Sequence, residues 1–127
     1  MKQTLIVFVQ DEPGVLNRIS SHIRRRNFNI ESLIAGQTER KDITRMTVVL
    51  NEPDKTKQRT VVNSLKELID VYDVIDATEI DSHIREYALV KVALKKDDLD
   101  EVNKIVESVH GKIIDGTDDA IIFELTG

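Results

Sequence analysis

Apolar and polar positions alternate with changing period along this chain, and each change marks an element. Residues 4–10 (TLIVFVQ) are β-branched and apolar and stop at Asp11-Glu12-Pro13-Gly14, which predicts a strand followed by a tight turn. From Val15 to Arg26 the period becomes helical, with Leu16, Ile19 and Ile23 on one face and Asn17, Arg18, His22 and Arg25 elsewhere. Asn27 ends this helix. Residues 29–38 (NIESLIAGQT) predict a second strand and ERKD a polar break. A third strand follows at residues 43–51 (ITRMTVVLN), in which Met46, Val48 and Leu50 point one way.

Asn51-Glu52-Pro53-Asp54 is a second breaker cluster, after which Val61, Val62, Leu65, Leu68 and Ile69 recur at helical spacing as far as Asp70. Residues 72–82 (YDVIDATEIDS) alternate and predict a fourth strand. The order β-α-β-β-α-β is the split order of the α+β, ferredoxin-like class. From Arg85 the pattern restarts. YALVKVALK reads as a strand, Leu99, Val102, Ile105, Val106 and Val109 as one face of a helix, and KIIDGT and AIIFEL as short strands. This second unit is a shortened βαββ. The chain is therefore expected to divide into residues 1–82 and 84–127, with a boundary near Ser82 to Arg85. The halves repeat in element order without a residue-by-residue match.

Composition narrows the function classes. A chain of 127 residues holds one ordinary domain or one small domain and part of another. Aromatics make up 4% and Trp is absent, so the core must be built from Ile, Val and Leu, which disfavours a deep ligand cavity. The net charge of −5, with both signs mixed along the chain, argues against nucleic acid as the main partner. Arg24-Arg25-Arg26 is the one dense basic run, and it falls at a predicted helix end, where cations complement the macrodipole. The absence of cysteine removes disulfides, thiolate catalysis and cysteine-based zinc sites. The first apolar run is broken by Gln10 and Asp11 too early for a signal peptide or membrane span, which predicts a cytoplasmic protein away from membranes.

Candidate catalytic chemistry is thin. His22, His83 and His110 are too scattered for a metal-ligand set, and the adjacent acidic pairs point apart in regular structure, so no metal site is expected. Ser20-Ser21 lies in a helix without a matching base and acid, so a hydrolase triad has no support. A small phosphate-cleaving enzyme of similar element order would need an Arg in the first loop, and DEPG contains none. The informative segment is Gln10 to Leu16. It joins a strand to a helix start, where free amides and the dipole can hold a carboxylate. Gly14 lets a ligand approach the main chain, and Asp11 offers an acceptor for an ammonium group. The same segment also reads as a plain helix start, with Pro13 near the first helical position and the acidic residues capping it.

DEPGVLNRI at the first turn, NFNIESL at 27–33, TRMTVVL at 44–50, REYALVKV from Arg85 and KIIDGT at 112–117 together resemble the small, regulatory subunit of acetolactate synthase, an ACT-domain family. The resemblance runs along almost the whole chain. It implies a non-catalytic subunit that activates a catalytic large subunit and mediates feedback by valine or a related branched-chain amino acid. Thiamine diphosphate, Mg²⁺ and FAD would belong to the large subunit, with no cofactor on this chain. The effector would lie between two ACT domains of a homodimer. Asp11 would take its amino group, the amides around Gly14, Val15 and Leu16 its carboxylate, and Asn29 with Ile30 would contribute from the neighbouring copy. Family members commonly carry Asn where Asp11 stands, which bears on ligand preference. They also continue with a further helix and strand, so the shortened unit is expected to expose a sheet edge and an apolar helix face. A stand-alone ACT-type amino-acid sensor serving another partner is the alternative.

Overall fold

The computed structural model describes residues 2–127. Its elements are β1 (Lys2–Gln10), α1 (Val15–Arg25), β2 (Ile30–Gln37), β3 (Ile43–Asn51), α2 (Lys55–Lys66), β4 (Val71–Asp76), β5 (Tyr87–Ala93), α3 (Leu99–Ser108), β6 (Lys112–Gly116) and β7 (Ala120–Thr126). They fall into two compact units, one ending at Ser82 and one beginning at His83.

In the first unit the strands lie in the order β2-β3-β1-β4, all neighbours antiparallel. This is the ferredoxin-like arrangement expected from the element order. The two-residue period of β1 decides which side is covered. Leu5, Val7 and Val9 are buried, with Ile6 and Phe8 half-buried on the opposite face. Against the first set pack Val15, Ile19 and Ile23 of α1, Met46, Val48 and Leu50 of β3, Val61 and Leu65 of α2, and Val74 of β4. Both helices therefore cover one face, and each fully buried Leu, Ile or Val contributes about 1.5–3 kcal/mol. Gln3 is fully buried among them, and its Nε2 donates to the Gln58 carbonyl at 3.1 Å and to Asp76 Oδ2 at 2.8 Å. That one amide joins β1, α2 and β4.

Helix ends follow local chemistry. Asp54 caps α2, its Oδ1 accepting from the amides of Thr56 at 2.7 Å and Lys57 at 3.3 Å. The basic residues Arg24 and Arg25 close α1, as their position at a helix end predicts. Asn27 follows with φ 63°, a left-handed conformation that Asn tolerates.

Several boundaries differ from the sequence pattern. Leu16 is 49% exposed, and Val15 takes the expected core position. The cause is the helix phase: with Gly14 as the N-cap, Val15, Ile19 and Ile23 align at i, i+4 and i+8. Pro13 consequently lies outside the helix, and no acidic side chain caps it. α2 ends at Lys66, so Ile69 falls in the following turn and is 92% exposed. β4 ends at Asp76, short of the expected Ser82, because Asp76 Oδ1 accepts from Thr78 N at 3.1 Å and turns the chain away just after Ala77 N has donated to the Thr4 carbonyl at 2.9 Å.

The second unit is a three-stranded antiparallel sheet in the order β5-β7-β6 with one helix. Its core is Val106, Ile121 and Phe123, packed with Val90, Val92, Val102 and Leu125. Leu99 and Ile105 of α3 and Val109 just after it remain about half exposed, and β5 has one unpaired edge among the described residues. No helix is long and apolar enough to cross a membrane among the described residues.

Candidate effector site at the first turn

The turn between β1 and α1 is held from both ends. Gln10 N donates to the Asp70 carbonyl at 2.9 Å and Asp11 N to the Asp42 carbonyl at 2.9 Å, so the end of β1 is anchored on either side. Gly14 then adopts φ 85°, a left-handed conformation that costs an L side chain about 1–2 kcal/mol. This reversal starts α1 abruptly. The Val15 amide reaches the Glu12 carbonyl at 3.4 Å, and the Arg18 amide reaches the Gly14 carbonyl at 3.0 Å. Between them the amides of Leu16 and Asn17 have no partner among the described residues, since no side chain caps the helix. Unpaired donors at the positive end of a helix dipole suit an anion.

Asp11 stands at the other side of the opening. Its Oδ2 accepts from Gln37 Nε2 at 3.0 Å and its Oδ1 from Thr44 Oγ1 at 3.1 Å. A cavity of about 120 Å³ lies here, lined by Asp11, Val15, Leu16, Ala35, Thr44 and Met46 among others. Its apolar floor thus carries a carboxylate at one end and the helix start at the other. Gly14 borders the turn without lining the cavity. A Cβ at Gly14 would stand 3.1 Å from Arg18 Nη1, so the guanidinium lies over that glycine. Arg18 Nε donates to Asp70 Oδ2 at 2.6 Å, and this bond, more than Asp70's charge or that of Glu12, raises the guanidinium's pKa above its ordinary value.

Asn29 and Ile30 lie apart from this group within one chain. They line a separate depression of about 340 Å³ with Asn17, Ser20, Ser21 and Arg24. The six residues singled out in the sequence therefore form two patches, Asp11 with Gly14, Val15 and Leu16 at the turn, and Asn29 with Ile30 at the start of β2. Gln37, Thr44 and Asp70 were not legible as part of the turn. They reach it across 26, 33 and 52 residues through side-chain bonds to Asp11 and Arg18, and no local spacing signals such contacts. Among the described residues no group of three His, Asp or Glu side chains is placed to hold a metal ion.

The chain matches two family models, an AHAS small subunit-like ACT domain over residues 5–73 and the small subunit of acetolactate synthase over residues 85–127. A protein of Archaeoglobus fulgidus named as a probable acetolactate synthase small subunit is 39% identical over 127 residues, covering all of this chain and 79% of that protein. The acetolactate synthase small subunit of Mycolicibacterium smegmatis is 38% identical over 124 residues, covering 98% of this chain and 72% of its own length. The crystal structure of the Thermotoga maritima small subunit superposes with a TM-score of 0.90 at 28% identity, over all of this chain and 79% of that one. On this agreement of both units in sequence and in fold, the chain belongs to the acetolactate synthase small-subunit family.

Proposed function

We propose that this chain is a non-catalytic regulatory subunit that activates the acetolactate synthase large subunit in the cytoplasm, and that valine or a related branched-chain amino acid opposes this activation. The observation that carries the reading is the cavity at the first turn. An acceptor carboxylate, Asp11, and unpaired helix-start amides flank an apolar floor of Val15, Leu16, Ala35 and Met46. These are complements to the ammonium, carboxylate and aliphatic side chain of one small amino acid.

Size supports a shared site. A cavity of about 120 Å³ is below the roughly 300–1,000 Å³ of pockets that enclose a ligand alone. A second copy that brings Asn29 and Ile30 over the turn would complete it, so the homodimer is part of the proposal. The effector acts only through a difference in its affinity for two arrangements of the dimer. Thiamine diphosphate, Mg²⁺ and FAD would supply the chemistry on the large subunit, and this chain would alter how that subunit works without touching its substrates.

The test is acetolactate formation by the cognate large subunit, titrated with this chain with and without valine. Activation that valine reverses is expected. No activation would overturn the regulatory role and favour a sensor that serves another partner, and activation insensitive to every branched-chain amino acid would overturn the effector site.

A further inference from the structure

Asp11 is exposed at the end of a strand, and a lone carboxylate there would sample several rotamers. It is instead gripped by two donors from two other strands. Gln37, the last residue of β2, bonds one oxygen at 3.0 Å, and Thr44 of β3 bonds the other at 3.1 Å. A carboxylate only accepts, so Gln37 must present its NH₂ and Thr44 its hydroxyl proton. Both oxygens are fixed in place, and each keeps acceptor capacity beyond the bond it already makes.

We infer that Gln37 and Thr44 are positioning residues that make the site read the ammonium group, so that it takes an α-amino acid and rejects the 2-oxo acid of the same carbon skeleton. The inference rests on the reading of Asp11 as the amine-binding group. A 2-oxo acid carries the same carboxylate and the same aliphatic tail, and it would satisfy the helix start and the apolar floor equally well. In place of the ammonium it has a carbonyl oxygen, an acceptor set against an acceptor. A mobile Asp11 could turn away from that oxygen at little cost, whereas a clamped one cannot. Discrimination therefore depends on the clamp as well as on the charge. A regulatory subunit built this way answers to the aminated compound and ignores its unaminated counterpart.

The experiment is calorimetric titration of the full chain with L-valine and with 3-methyl-2-oxobutanoate, for the wild type, the double variant Gln37→Leu/Thr44→Val, and Thr44→Ser, with thermal melts to establish folding. The wild type is expected to bind valine at least about tenfold more tightly than the 2-oxo acid. The double variant is expected to lose about tenfold for valine and to stay within about twofold for the 2-oxo acid, so that the preference collapses. Thr44→Ser, which keeps the hydroxyl, should retain the preference. The inference is overturned if the double variant keeps the wild-type ratio, whether both affinities are unchanged or both fall together. If the wild type binds neither compound, the reading of Asp11 fails and this inference with it. Valine binding by the wild type with an unchanged ratio in the double variant sinks this inference alone.

Discussion

Arg18 Nε and Asp70 Oδ2 meet at 2.6 Å, and the pair ties the start of α1 to the turn before β4. The backbone carbonyl of Asp70 also accepts from Gln10 N, so one residue holds both flanks of the first turn. Asp70→Asn would keep the backbone bond and lose the charge of the other. We expect a lower Tm and weaker valine binding, because the segment that carries Gly14 is freed on its α1 side. The Arg18 side chain is 49% exposed, so salt screens the pair. The Tm gap between wild type and variant should therefore narrow as NaCl is raised, and a gap independent of salt would remove the ion pair as its cause.

Gly14→Ala tests the left-handed start of the helix. The backbone at φ 85° and a Cβ placed 3.1 Å from Arg18 Nη1 both oppose a side chain. The expected loss is about 1–2 kcal/mol by urea denaturation. Gly36→Ala is the control, since nothing lies within 4 Å of a Cβ there, and it should leave stability nearly unchanged. Gly14→Asp adds negative charge beside the unpaired amides and should abolish valine feedback while activation persists.

His22 makes acid destabilise the first unit. Arg26 Nη1 lies 3.1 Å from its Nδ1, and a guanidinium only donates, so a hydrogen bond here requires an unprotonated Nδ1 and is lost when the ring takes up a second proton. Burial first, then the charges of Arg26 and Arg25, lower its pKa, outweighing the Ser64 backbone and Glu67. A base whose folded pKa is depressed binds fewer protons folded than unfolded. Stability from this group is thus present above its ordinary value of 6.5 and is lost as pH falls from there towards the folded value. Thermal melts at pH 7.5 and 5.5 should show a smaller acid-induced drop in Tm for His22→Leu than for wild type. Equal drops would assign the acid sensitivity to other groups.

Leu16→Ala separates binding from folding. Leu16 is 49% exposed yet lines the cavity at the turn. The expected stability loss is below about 1 kcal/mol, as for a surface position. Valine affinity should fall about tenfold, in line with about 1–3 kcal/mol for removing apolar contact from a pocket. Unchanged affinity would place the aliphatic end of the effector elsewhere.

How far the sequence could be read depends on how local each determinant is. The alternation in β1 and β3 and the recurrence of Ile19 and Ile23 are local, and they led to the right elements in the right order. The helix start at Val15 was legible, but its buried face was misjudged, because Leu16 and Val15 are both apolar and only the phase set by Gly14 chooses between them. Ile69 fits the helical spacing of α2, but the helix has already ended three residues earlier, and the spacing of apolar residues does not record where hydrogen bonding stops. At the first turn, the places of Asp11 and Gly14 were legible because a strand-turn-helix junction is contiguous. Thr44, Gln37 and Asp70 were not, since only sheet pairing and the loop before β4 bring them to the turn.

The position of β1 in the sheet has a consequence for biosynthesis. β1 is made first, yet its neighbours are β3 and β4, and Leu5 pairs with Asp76 near the far end of the unit. A nascent chain leaving the ribosome therefore carries its most apolar strand unsatisfied on one flank until residue 76 has emerged. Loop closure over that span must precede the reward of pairing, which slows folding relative to a unit built from neighbouring hairpins. Until then the open flank of Thr4-Leu5-Ile6-Val7-Phe8-Val9 is the segment a holdase chaperone would find first.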